Sequence, residues 1–82
     1  MTISPNPLGS NGRLSLVTKG GSARITLHDN LGREVSTLFD GVLAPGSQSL
    51  PIDLSSVPAG AYRLSVRIDG ATPASQMIVV SR

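Results

Sequence analysis

Apolar and polar residues alternate strictly over residues 62–68, the most regular stretch of the chain. The apolar set is Tyr62, Leu64, Val66 and Ile68, and the alternate set is Ala61, Arg63, Ser65 and Arg67. A period of two is the repeat of a β-strand, whose successive side chains point to opposite faces. We therefore predict a strand here, with one face buried and the other in solvent.

Weaker alternation predicts further short strands on both sides of this segment. They cover residues 13–18, 23–28, 34–39, 47–54 and 74–81, and Ile3 is expected to add to a sheet edge. Residues 30–38 also have nearly helical apolar spacing, but Gly32 and the β-rich neighbours favour a strand. Pro51 predicts an edge position for its strand, and residues 40–46 are expected to be a longer connection. About seven short strands with turns every 8–12 residues are typical of an all-β sandwich or barrel.

The turn before the regular strand narrows the fold class. Residues 54–62 read LSSVPAGAY, and Tyr62 is the only tyrosine. Immunoglobulin-like sandwiches often place a tyrosine where the chain crosses between sheets, with its ring on the core and its hydroxyl bonded to an upstream backbone group. We therefore predict an all-β, immunoglobulin-like β-sandwich of about seven short antiparallel strands, with Tyr62 at such a corner.

Length and composition set the size and stability of this fold. The 82 residues suffice for one domain, placed at residues 1–82, and residues 1–12 are expected to be mostly loop because Pro5 and Pro7 disfavour regular pairing. The chain has no cysteine, so neither a disulfide nor a thiolate metal site is available. A core this small is expected to provide only about 3–5 kcal/mol of stability.

Charge and hydropathy argue against a nucleic-acid partner and against membrane insertion. The net charge is +2, and the basic residues are spread along the chain rather than clustered, which argues against nucleic-acid binding. No apolar stretch approaches the length that spans a bilayer, so no membrane insertion is predicted. Residues 1–5 lack the features of a signal peptide, and we expect the chain to be part of a longer precursor.

No set of residues in the sequence is typical of an enzyme. The only histidine, His28, alternates with Ile25 and Leu27 and is predicted to lie on the solvent face of its strand. The aspartates stand at strand ends, where hydrogen bonding within a turn explains them better than calcium binding. We therefore predict no catalysis, no metal ion and no cofactor.

Three arginines face outward on two of the predicted strands: Arg24, Arg63 and Arg67. They would form one basic patch, suited to an anionic surface such as lipopolysaccharide, if those strands were neighbours. A solvated sheet face is the favoured interpretation, and on it each exposed charge would contribute only about 0–1 kcal/mol.

Four segments, in this order, resemble the type A C-terminal sorting domain of the type IX secretion system. Residues 4–7 (SPNP), with Asn6 and Pro7, are similar to its opening motif. Residues 25–35 (ITLHDNLGREV) contain Asp29, Gly32 and Arg33 of its second motif. Residues 54–62 contain Pro58, Gly60 and Tyr62 of its third. The terminal MIVVSR resembles its last motif, with Ser4 and Arg82 replacing a common tyrosine and lysine.

The resemblance implies a C-terminal secretion signal that directs a cargo protein across the outer membrane and is then cleaved off. Its expected partners are the outer-membrane translocon and a sortase-like peptidase, and its expected route runs through the periplasm to the cell surface or the extracellular space. The predicted translocon contacts are Met77, Ile78, Val79, Val80, Ser81 and Arg82. A free last strand would also allow an edge-strand dimer.

An alternative remains for this sequence. The immunoglobulin-like domain of the flagellar hook-capping protein shares the Asp-x-x-Gly-Arg and Ala-Gly-x-Tyr features. On this interpretation the chain is a structural or adhesive module that stays on the mature protein.

Overall fold

Seven strands account for most of residues 2–4, 11–70 and 73–81, the part of the chain that the computed structural model describes. They are β1 (Thr2–Ser4), β2 (Asn11–Thr18), β3 (Gly21–His28), β4 (Glu34–Leu43), β5 (Gly46–Asp53), β6 (Gly60–Ile68) and β7 (Ala74–Val80). Strand β1 confirms that Ile3 adds to a sheet edge, whereas residues 11–12, which were expected to be loop, begin β2. No helix of the length and apolarity needed to cross a membrane occurs in these ranges.

The strands form two antiparallel sheets. One has the order β1-β2-β5, and the other has the order β4-β3-β6-β7. The chain crosses between the sheets after β2, after β4 and after β5. This arrangement confirms the predicted all-β sandwich and is consistent with an immunoglobulin-like fold.

The core lies between the two sheets and is almost entirely aliphatic. Its buried members are Ile3, Leu14, Leu16, Ala23, Ile25, Leu27, Leu43, Ile52, Leu54, Val57, Tyr62, Leu64, Val66, Ile78 and Val80. In β6 the predicted apolar face is buried at Tyr62, Leu64 and Val66, whereas Arg63 and Arg67 are exposed. Alternation thus identified the inner face of the central strand correctly.

Strand β4 differs from the prediction in length and regularity. It extends to Leu43 rather than ending at Phe39, so most of the expected connection over residues 40–46 is strand paired with β3. Two register shifts in this pairing leave Val35 and Leu38 without a residue opposite them. Such β-bulges interrupt the period of two, which explains why the alternation in this segment is poor. The helical interpretation of residues 30–38 is wrong, because they form a turn and then this strand.

The chain passes from β5 to β6 through the predicted tyrosine corner. The Tyr62 hydroxyl donates a hydrogen bond of 2.7 Å to the Pro58 carbonyl, four residues upstream. The Tyr62 ring is buried with the core residues. Pro51 lies in β5, an edge strand as predicted.

Replacing Tyr62 with phenylalanine should lower the melting temperature by about 4–8 °C. The ring would keep its packing, but the bond to Pro58 would be lost, and one such bond contributes about 1 kcal/mol net. Thermal unfolding followed by circular dichroism measures the effect. A Tyr62→Phe variant that melts with the wild-type chain would show that the corner hydrogen bond adds nothing to stability.

Candidate functional site

Strand β7 is an edge strand of the four-stranded sheet. It pairs with β6 from Gly60 opposite Val80 to Val66 opposite Ala74. Within the described residues no strand pairs with its other side. An edge strand presents unpaired N–H and C=O groups that can accept another strand. The backbone of β7 is therefore available for strand addition along one side.

The side chains of β7 divide into two groups. Ile78 and Val80 are buried in the core, whereas Met77 and Val79 are 57% and 50% exposed. Ser81 is exposed as well, and Arg82 lies outside the described residues. The five predicted contact residues that the structure describes therefore do not form one surface. Met77, Val79 and Ser81 can meet a partner while the domain stays folded, and Ile78 and Val80 hold the strand in place.

The Asp-x-x-Gly-Arg segment forms the turn between β3 and β4. Oδ1 of Asp29 accepts the N–H groups of Leu31 and Arg33 at 2.9 and 3.0 Å, and Oδ2 accepts Nε of Arg33 at 2.9 Å. Gly32 adopts a φ of 82°, a conformation in which a side chain would be strained. Each motif residue therefore has a structural role in closing the turn.

This turn perturbs the ionisation of Asp29. The hydrogen bond from the Arg33 N–H, with those from the Leu31 N–H and the Arg33 guanidinium, holds the pKa of Asp29 below its usual value. Hydrogen bonding by Ser55 likewise lowers the pKa of Asp53. Across the described residues no three acidic or histidine side chains lie close enough to hold a metal ion. Asp29 and Asp53 act as turn residues.

Strand register collects three of the four motif segments at one end of the four-stranded sheet. His28, next to the Asp29 turn, lies opposite Arg63, next to Tyr62. Gly60 of the corner lies opposite Val80 at the end of β7. Asn6 and Pro7 of the first motif lie outside the described residues. The sequence motifs alone did not indicate this convergence, because it depends on the pairing of β3 with β6.

The outer face of the same sheet carries a groove of about 970 Å³, bounded at one end by the turn at Asn30 and Leu31. The three outward arginines all line it, because β3 and β6 are neighbours. His28 also lies on this face, as predicted, but it is partly buried and its Nε2 is 2.9 Å from Oγ1 of Thr26.

Comparison with known protein families gives a match that covers nearly the whole chain. Residues 2–81 match the family described as secretion system C-terminal sorting domain, the sorting domain of type IX secretion. Comparisons with curated proteins and with solved structures give no significant match. The matching family is a secretion signal with no known catalytic role. The chain therefore belongs to the family of type IX secretion C-terminal sorting domains.

Proposed function

We propose that residues 1–82 act as one folded secretion signal at the C-terminus of a cargo protein, and that the secretion machinery recognises β7. In this proposal the domain reaches the periplasm with its cargo and is bound there by the outer-membrane translocon. A sortase-like peptidase then cuts upstream of the domain, and the cargo reaches the cell surface or the extracellular space.

The observation that carries the proposal is the arrangement of β7. One side of its backbone is unpaired among the described residues, and its buried residues Ile78 and Val80 fix its position. Strand addition to a sheet edge supplies affinity through main-chain hydrogen bonds, and alternate side chains supply specificity. Val79 and Met77 are the exposed alternate side chains that a partner strand would meet.

Replacing Val79 with aspartate should reduce surface delivery of a reporter fused to this domain. The substitution places a charge where the partner would bury an apolar side chain. The free energy of binding should weaken by about 1.5 kcal/mol or more. Delivery in a competent host should fall by about tenfold. Val79 is more informative than Met77, because Met77 also lines the outer groove.

Val42 offers a matched control. It is 77% exposed and lies on β4, the opposite edge strand of the same sheet. Val42→Asp introduces the same charge on the same kind of strand, and delivery should stay at the wild-type level. Both variants should melt within a few degrees of the wild-type domain. Equal delivery by the two folded variants would contradict recognition through β7.

A further inference from the structure

The outer face of the four-stranded sheet places basic side chains directly opposite each other. Arg24 of β3 lies opposite Arg67 of β6, and His28 lies opposite Arg63. Between these two pairs, Thr26 lies opposite Ser65. All of these residues line the outer groove, which we call the arginine groove.

Like charges directly opposite on antiparallel strands destabilise a sheet. Arg24 is partly compensated, because Glu34 approaches it at 3.7 Å. Arg63 and Arg67 form no ion pair and no side-chain hydrogen bond with any other described residue. Asp40 of β4 also lies opposite Arg24, so the sheet's own acidic residues offset the charge of Arg24. The repulsion that remains in the Arg24–Arg67 pair therefore falls on Arg67, which has no such partner among the described residues. A bound anion would relieve this repulsion.

The spacing of the arginines indicates the shape of such an anion. Arg63 and Arg67 are four residues apart on one strand, which corresponds to about 13 Å along the sheet. Two negative groups at this distance are supplied by an extended peptide whose acidic residues occupy positions i and i+4, because both side chains then point to the same side. An arginine guanidinium also matches the planar carboxylate group.

We propose that the arginine groove binds an acidic, extended segment of a protein partner, with two carboxylates against Arg63 and Arg67. The hydroxyl groups of Thr26 and Ser65 lie between these contacts. Leu31 and Met77 are exposed at the turn end of the groove and suit an apolar side chain of the same segment. Sugar rings usually stack on large aromatic side chains, and no phenylalanine, tyrosine or tryptophan among the described residues lines the groove. This second recognition surface does not depend on the function proposed for β7.

Fluorescence anisotropy with a short labelled peptide tests the proposal on the 82-residue chain. The peptide carries glutamates at positions i and i+4 and serine elsewhere. A second peptide has the same composition with glutamates at i and i+3, so that they point to opposite sides when extended. The first should bind about tenfold more tightly than the second, and added salt should weaken its binding.

Charge-matched variants provide the controls. The Arg63→Gln, Arg67→Gln double variant should bind the first peptide about tenfold more weakly than the wild-type chain. The Arg13→Gln, Lys19→Gln double variant loses the same charge at exposed positions outside the groove and should bind normally. Arg67→Gln alone should melt at or above the wild-type temperature, because it relieves the repulsion with Arg24.

Three results would overturn the proposal. One is equal binding of the two peptides, which would mean that only net charge matters. Another is equal loss of binding in the two double variants. The third is an anionic polysaccharide or inorganic phosphate that displaces the peptide and binds more tightly, which would assign the groove to a different ligand.

Discussion

Replacing Leu64 with alanine is expected to leave a large fraction of the molecules unfolded at physiological temperature. Leu64 has no exposed surface and lies in β6, opposite Leu27 of β3 and Gln76 of β7. Truncating a buried leucine to alanine costs about 2–5 kcal/mol, because the lost contacts leave a cavity. A cysteine-free core of this size provides only about 3–5 kcal/mol.

Thermal or urea unfolding measures the loss, and Leu31→Ala is the matched control. Leu31 is 72% exposed in the turn between β3 and β4. The same truncation there should change stability by no more than about 0.5 kcal/mol. If Leu64→Ala and Leu31→Ala had the same melting temperature, the burial of Leu64 between the two sheets would not contribute to stability as expected.

Deleting residues 78–82 is expected to abolish surface delivery of a fused reporter. It removes Ile78 and Val80, two buried core residues that lie opposite Tyr62 and Gly60. Each buried aliphatic side chain contributes about 1.5–3 kcal/mol, so the truncated domain should also lose its cooperative unfolding transition.

Measuring folding and delivery together shows why this deletion alone cannot locate the recognition surface. A truncated chain fails both because its core is incomplete and because the exposed residue Val79 is gone. The folded Val79→Asp variant separates these two causes. Normal delivery of the truncated chain would contradict both the proposed function and the role of β7 in the fold.

Local sequence patterns predicted a strand correctly where one of its faces is buried along its whole length. The predictions of strand β6 and of the tyrosine corner are confirmed, because both depend on residues that are close together in the chain. Strand β4 was predicted to end at Phe39, because Asp40 and Gly41 are typical of a connection, although both pair with β3 in regular register. The bulges at Val35 and Leu38 break the alternation earlier in the strand. An alternating pattern does not show where a β-bulge has added an extra residue to a strand.

The candidate site was predicted less completely than the fold. The terminal segment was identified as a unit, but its recognition role stays a prediction, and the structure separates the exposed Val79 from the buried Val80. The arginine groove depends on the pairing of β3 with β6, strands that are distant in sequence. Neither register nor sheet order can be deduced from one strand alone, so the sequence left the arginine patch as an unfavoured alternative.

The sheet order β4-β3-β6-β7 has a consequence for quality control during export. Among the described residues β7 pairs with β6 alone, and β6 pairs on its other side with β3, which is made much earlier in synthesis. The edge that we propose as the secretion signal therefore exists only after this long-range pairing has formed. Secretion machinery that binds β7 would bind folded domains and not unfolded ones. Recognition of the signal would therefore also test whether the domain has folded.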